Sequence, residues 1–319
     1  MNEKTKSGKK SVSLVVPFYN ESEGISQFYD AVTAVFEDLP DIDFEVVCID
    51  DGSSDDTLAR LIGLIERDSR FKVIELSRNF GKEAALTAGI DAARGDAVIP
   101  FDADLQDPPE MIPKLIEQWL KGAEVVLARR ADRSSDAFLK QKTAEFFYKI
   151  HNNLSSIRIP DNVGDFRLMD RVAVEALKQL PERQRFMKGL FAWVGYKTVI
   201  VDYVRSARVA GTTKFSGWKL WNFALEGITS FSTVPLRIWT YIGGAGALVT
   251  IIYGLFIVLR TLILGIDLPG YASLLVSVLF FGSLQLIGIG VLGEYLGRIY
   301  MENKQRPIYL VRSFHESAN

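Results

Sequence analysis

Over residues 11–128, short apolar runs alternate with longer stretches in which apolar residues return every three or four positions. The runs at 12–16, 44–49, 72–76, 97–101 and 124–128 are rich in Val, Ile and Phe and read as strands. The segments 23–37, 55–68, 82–93 and 109–121 read as helices, with Gly81 and Gly95 punctuating the connections. Strand and helix in alternation predict an α/β domain built on a mostly parallel sheet with crossover helices. Ligands of such sheets gather at the carboxyl ends of the strands, which selects residues 17–21, 50–55, 77–82 and 102–107. From 140 to 194 the pattern is helical and mixed, interrupted by Val163-Gly164-Asp165-Phe166-Arg167-Leu168, and 196–204 returns to strand-like alternation.

Residues 238–259 and 272–293 break from this pattern: each is an uncharged apolar stretch of 22 residues. As a helix, each extends about 33 Å, enough to cross a hydrocarbon core of roughly 30 Å. Arg237, Arg298, Lys304, Arg306 and Arg312 flank one side of the pair and Arg260 the other, so both termini are expected in the cytoplasm and the protein in the cytoplasmic membrane as a multi-pass hairpin. Just before the first span, 216–233 carries Trp218, Trp221, Phe223, Leu225, Ile228 and Phe231 at helical spacing, which suits a helix on the bilayer surface or, equally, an amphipathic core helix. Gly293-x-x-x-Gly297 offers close helix packing within one chain or in a homo-oligomer. The expected division is a disordered tail at 1–10, a soluble domain at 11–215, an interfacial helix at 216–234, a transmembrane hairpin at 235–298 and a cytoplasmic tail at 299–319.

Charge and cysteine content narrow the function classes. Lys and Arg total 37 against 39 for Asp and Glu, a formal net charge of -2, so no global basic field draws the chain to nucleic acid. The lone Cys48 sits in an apolar run and is expected in the core. The lysine-rich start has no apolar segment of the signal-peptide kind after it. His151 and His315 are the only histidines and belong to no zinc or nucleophile motif.

The candidate chemistry lies at Asp102-Ala103-Asp104, directly after an apolar run. In an extended segment, residues two apart face the same way, so Asp102, Asp104 and Gln106 can converge as oxygen ligands of a divalent cation, Mg2+ or Mn2+. So few protein ligands imply that a substrate phosphate completes the shell. Asp107, before Pro108-Pro109-Glu110, reads as a helix cap, as do Ser54 and Asp55.

Val16-Pro17-Phe18-Tyr19-Asn20-Glu21, Asp50-Asp51-Gly52-Ser53-Ser54-Asp55 and Phe101 through Pro108 resemble glycosyltransferase family 2. With Gly164-Asp165-Phe166-Arg167 and two C-terminal spans, the set is similar to its polyprenyl-phosphate glycosyltransferases, which include dolichyl-phosphate mannose synthases and bactoprenol glucosyltransferases. The resemblance implies a GT-A, Rossmann-like fold, a nucleotide-sugar donor and a polyprenyl phosphate acceptor. It puts base and ribose on Pro17, Tyr19, Glu21 and Asp51, with Asp102 shared between ribose and metal. Arg129, Arg208 and Lys214 match positions that contact phosphate, and Lys82 either reaches the nucleotide or only begins a helix. Asp165 is the family-like base or acceptor-positioning residue; the alternative is a turn carboxylate paired with Arg167.

The expected reaction is metal-dependent, inverting transfer of a hexose to a lipid such as undecaprenyl phosphate. UDP-glucose is the favoured donor, with GDP-mannose and other UDP-sugars open. A processive polysaccharide synthase would share the donor domain, but the Gln-x-x-Arg-Trp signature is absent and Gln184-Arg185-Phe186 only echoes it. A non-catalytic nucleotide-sugar-binding scaffold is the remaining alternative.

Overall fold

All five expected strands form, the strand-like segment at 196–204 supplies a sixth, and two further ones join them. The computed structural model describes residues 8–131, 160, 163–203, 234–264 and 270–317. Strands β1 (Lys10–Phe18), β2 (Ile42–Asp50), β3 (Phe71–Leu76), β4 (Ala97–Pro100), β5 (Val125–Arg130), β6 (Val163–Asp170), β7 (Thr198–Tyr203) and β8 (Val311–His315) make one sheet in the order β7-β5-β6-β4-β1-β2-β3-β8. Neighbours pair in parallel except where β6 lies between β4 and β5 and where β8 lies on β3. The carboxyl ends of β1, β2, β3, β4, β5 and β7 therefore share one edge, and β6 begins at that same edge.

Alternate side chains of each strand enter two separate cores. Val12, Leu14, Val16, Val46 and Cys48 meet Phe28, Val32, Leu61 and Leu115 from α1 (Ile25–Glu37), α2 (Thr57–Arg67) and α4 (Ile112–Leu120). Val15, Val47 and Ile49 meet α3 (Lys82–Ala92), α5 (Arg171–Lys178) and α6 (Met187–Val194) on the other face. A parallel sheet covered on both faces needs apolar residues at every position of its strands, which is why these runs showed little polar alternation. Cys48 is fully buried, and burial pushes its thiol pKa up.

Helix α3 packs tightly on the sheet at Gly89. A Cβ at Gly89 would lie 2.3 Å from the Val15 side chain and 2.5 Å from that of Ile49, so only glycine permits this approach. With Ala84, Ala85 and Ala88 also buried, the first turn of α3 is fixed at the carboxyl edge.

Helices α7 (Val234–Leu264) and α8 (Tyr271–Asn303) are unlike the rest. Leu248, Val249, Ile251, Ile252, Leu286, Ile287 and Leu292 are all more than half exposed, an apolar surface far beyond that of a soluble domain. Of the two expected spans, one described segment, Phe280–Asn303, is long and apolar enough to cross a membrane; the apolar stretch of α7, Tyr241–Phe256, is shorter. The helices approach at Gly288, where a Cβ would lie 3.5 Å from the Trp239 ring, whereas among the described residues nothing lies within 4 Å of that position at Gly293 or Gly297. Residues 311–315, expected in a terminal tail, form β8 instead, and Arg312 and Ser313 bond Glu75 of β3 at 3.0 and 2.6 Å. The expected interfacial helix at 216–233 falls outside the described residues.

Candidate active site

The turns after β1 and β2 are sewn to each other by side chains that accept backbone N–H groups. Asn20 Oδ1 accepts the Ser54 amide at 2.8 Å, Ser53 Oγ accepts the Asn20 amide at 3.0 Å, and Thr57 Oγ1 accepts the Glu21 amide at 3.0 Å. Asp55 and Ser54, expected as caps, lie before the cap position of α2, which Asp56 occupies; Asp55 accepts the Thr57 amide at 3.0 Å and Ser54 turns to Asn20. Asp51 is 3% exposed, and its two oxygens accept the Phe80 and Gly81 amides at 2.7 and 2.9 Å. Burial raises its pKa despite these amides. Gly52 has φ +67, and a Cβ there would come within 2.5 Å of the Arg78 backbone, so this turn requires glycine twice over. Pro17, next to last in β1, lies opposite Ile49, and Tyr19, just beyond the strand, stands 45% exposed.

Opposing charges meet where β4 ends and β6 begins. Lys82 Nζ lies 2.7 Å from Asp102 Oδ1 and 3.1 Å from Asp165 Oδ2. Three chain segments supply this cluster: the first residue of α3, the turn after β4 and the start of the antiparallel β6. Burial drives the Asp165 carboxyl up, but Lys82, Lys188 and Arg167 outweigh it and hold the pKa at about 2. Desolvation likewise raises Asp102, with Lys82 only partly compensating. The Lys82 ammonium is desolvated yet raised well above its ordinary value by both carboxylates. Asp165 Oδ1 is buried with no hydrogen-bond partner among the described residues.

Arg167 serves Asp165 in an unexpected way. Its guanidinium donates to the Gly164 and Asp165 carbonyls at 2.7 and 3.4 Å and lies 4.2 Å from the Phe191 ring centroid, so it braces the turn while the Asp165 carboxylate goes to Lys82. Lys82 thus begins a helix and also reaches Asp102 and Asp165.

Asp102, Asp104 and Gln106 do not converge along an extended strand. β4 stops at Pro100, and the chain turns, with Leu105 at φ +53. Gln106 comes to Asp104 through that turn: its backbone N–H donates to Oδ1 at 3.2 Å and its amide Nε2 to Oδ2 at 2.5 Å. Among the described residues no group of three or more His, Cys, Asp or Glu side chains is arranged to hold a metal. Asp107, expected as a cap, is buried and accepts the Tyr203 hydroxyl, and Pro108 occupies the cap position.

Arg129 stands at the carboxyl edge but faces β7, making a two-pronged ion pair with Asp202 at 2.6 and 3.0 Å. Arg208 and Lys214 lie outside the described residues. Sequence reasoning missed Glu83, which accepts the Met187 amide at 3.1 Å; burial first, then Asp165, raise its pKa to about 7. Its only sequence signal was its place beside Lys82 at a helix start.

Residues 13–178 match the family model described as Glycosyl transferase family 2. The chain is 58% identical over 301 residues to the prophage bactoprenol glucosyl transferase homolog of Escherichia coli K12, covering 94% of this chain and 98% of that one. It is 57% identical to the bactoprenol glucosyl transferase of Shigella phage SfX, covering 95% and 99%. A crystal structure of glucosyl-3-phosphoglycerate synthase from Mycobacterium tuberculosis with Mn2+, UDP and phosphoglyceric acid aligns at 21% identity with a TM-score of 0.49, over 69% of this chain and 76% of that one.

Proposed function

The chain belongs to glycosyltransferase family 2, and we propose that it transfers glucose from UDP-glucose to undecaprenyl phosphate, inverting the anomeric carbon, at the cytoplasmic face of a membrane. The observation that carries this reading is the end-to-end likeness to proteins named bactoprenol glucosyl transferases, which extends through the apolar helices. The laced turns after β1 and β2 suit the uridine, with Tyr19 at the rim to stack the base and Pro17, Glu21 and Asp51 shaping its seat. Asp51 can shape that seat through the amides it grips, by fixing the loop at Phe80 and Gly81 against its own turn.

Asp102 and Asp104 form a hard, all-oxygen donor pair on one turn, which fits Mg2+ or Mn2+. Gln106 gives its amide nitrogen to Asp104, so its carbonyl oxygen is the end left to serve a cation. When bound, such a cation supplies Lewis-acid stabilisation to the departing diphosphate. Lys82 adds a fixed positive charge beside it.

A phosphate monoester has a second pKa near 6 and is largely ionised at neutral pH, so the acceptor needs no general base. Asp165 agrees with that economy: a carboxylate held at about 2 is a poor proton acceptor. It orients Lys82 and, through its unpartnered oxygen, the incoming acceptor. Arg208 and Lys214, with Arg129 released from Asp202, are the cations proposed for the acceptor phosphate.

The membrane assignment draws on the exposed apolar faces of α7 and α8. After α8 the chain returns to the sheet edge as β8, which keeps the end of that helix on the side of the catalytic domain in the proposed hairpin. The test is to incubate purified full-length protein with undecaprenyl phosphate, Mg2+ or Mn2+ and a panel of nucleotide sugars. A single-hexose lipid formed from UDP-glucose is the expected product. A ladder of sugars would indicate a processive synthase, and no product across the panel would reject the transferase reading of this chain.

A further inference from the structure

Two carboxylates far apart in sequence grip one short loop. Glu302, in the last turn of α8, accepts the Arg183 amide at 3.0 and 3.2 Å and the Gln184 amide at 3.1 Å. Glu83, the second residue of α3, accepts the amide of Met187, where α6 starts. Between these anchors the loop is braced from inside, for Arg185 donates to the Leu180 and Glu182 carbonyls at 2.7 and 3.2 Å. The Arg183 guanidinium reaches onward to the Arg306 carbonyl, 2.9 Å away, beyond the end of α8. The bonds given by the Arg183 and Arg185 guanidinium groups have a charged donor, the stronger class of hydrogen bond. The loop at 183–187 is therefore a strut with one foot on the long apolar helix and the other on α3.

What stands on the α3 foot gives the strut its consequence. Glu83 directly follows Lys82, whose ammonium bridges Asp102 and Asp165. Lys188, one residue beyond the amide that Glu83 holds, also acts on Asp165. A shift of the loop moves the Lys82 backbone and the Lys188 charge together.

We propose that Glu83 and Glu302 are positioning residues for the sugar transfer: through the 183–187 loop they fix the start of α3, and so the place of Lys82 between Asp102 and Asp165. The proposal rests on the transferase reading, and it makes the seating of α8 a condition of an assembled catalytic cluster. Neither carboxylate touches the reacting atoms; both act on them through the strut.

The experiment compares full-length wild type with Glu302→Ala, Glu302→Gln, Glu83→Ala and Glu83→Gln, by backbone hydrogen exchange and by steady-state kinetics with UDP-glucose and undecaprenyl phosphate. In Glu302→Ala, protection falls at the Arg183 and Gln184 amides and also at Ala84 and Ala85, whose bonds to the Gly81 carbonyl close the first turn of α3. Its kcat falls about tenfold to a hundredfold while the KM for UDP-glucose stays within about twofold. The glutamine variants keep an acceptor oxygen for the amides and recover most of both readouts. Wild-type exchange at Ala84 and Ala85 with wild-type kcat in Glu302→Ala overturns the proposal, as do glutamine variants no better than the alanine ones. If Glu83→Ala does not fold, the Glu302 pair decides alone. A wild-type protein that makes no glycosyl lipid rejects the transferase reading, and the exchange result still judges the strut.

Discussion

The two halves of the carboxyl edge are built by different means. Where β1 and β2 end, Asn20, Ser53, Asp51 and Asp55 use their oxygens on backbone amides of neighbouring turns. Where β4 ends and β6 begins, Lys82, Asp102 and Asp165 face one another as charges drawn from three distant segments. The first half sets a shape; the second sets a field. Shape mainly governs how well a ligand is seated, whereas a fixed field acts on charge that develops during reaction and carries the larger share of rate. Substitutions in the charged half are therefore expected to change kcat, and those in the laced half to change stability and the KM of the donor.

Asp104→Ala cuts deepest, with turnover lower by about a thousandfold and the protein still folded, because it removes one of two carboxylates proposed for the cation. Stripping divalent ions from the wild type should drop activity to a similar level, and adding back Mg2+ or Mn2+ should restore it. Steady-state rates with and without chelator check both. Wild-type turnover in Asp104→Ala would place the cation elsewhere. Lys82→Gln comes next, at about a hundredfold in kcat, since Asp102 and Asp165 are left facing each other without their shared ammonium. A loss confined to the KM for UDP-glucose would move Lys82 from the field to the shape half.

A pH experiment probes the charged half through Glu83. The folded-state pKa of Glu83, about 7, lies above its ordinary 4.5, because burial and Asp165 outweigh Lys82, Lys188 and the Met187 amide. A raised carboxyl binds its proton more tightly in the folded state, so its contribution to stability is full below 4.5 and is lost as pH rises through 7. Thermal unfolding of the full chain should show that decline between pH 4.5 and 7, and Glu83→Gln should flatten it. An unchanged decline in the variant would assign it to another group.

The same division decides how much could be read from sequence. The laced half was legible because its contacts are short-range turn chemistry repeated at strand ends: an acidic or amide residue, a glycine, then a helix start. The triplet at Asp102 was read as a cation site from its letters and misjudged as geometry, since nothing in them announced that β4 stops at Pro100 and that Leu105 takes a left-handed turn. Asp165 was placed by resemblance alone. Its neighbours follow from the antiparallel insertion of β6 between β4 and β5, a topological fact that apolar periodicity does not carry. The same blindness hid β8: five residues after two apolar helices read as a tail until β3 is seen with an open edge. Glu83 and Glu302 were invisible for the related reason that their partners are backbone amides, which every sequence has everywhere.

The smallest expected effect tests the boundary from the laced side. Asn20 sits at φ +53, and its side-chain oxygen takes both the amide and the hydroxyl of Ser54. Alanine loses these bonds and also fits a left-handed backbone poorly, which together cost about 1–2 kcal/mol. Glycine relieves the backbone but not the bonds, and aspartate keeps the acceptor along with a residue type that tolerates the conformation. The order of stability expected from thermal unfolding is thus wild type, Asp, Gly, Ala. Since Tyr19 and Glu21 flank Asn20 in the proposed uridine seat, the KM for UDP-glucose should rise a few-fold in the alanine variant. The KM for undecaprenyl phosphate and the kcat should hold, because the Lys82 cluster is tied to other elements. An alanine variant whose lipid KM moved instead would show that the turns after β1 and β2 reach the acceptor, and the edge would then have to be treated as one site.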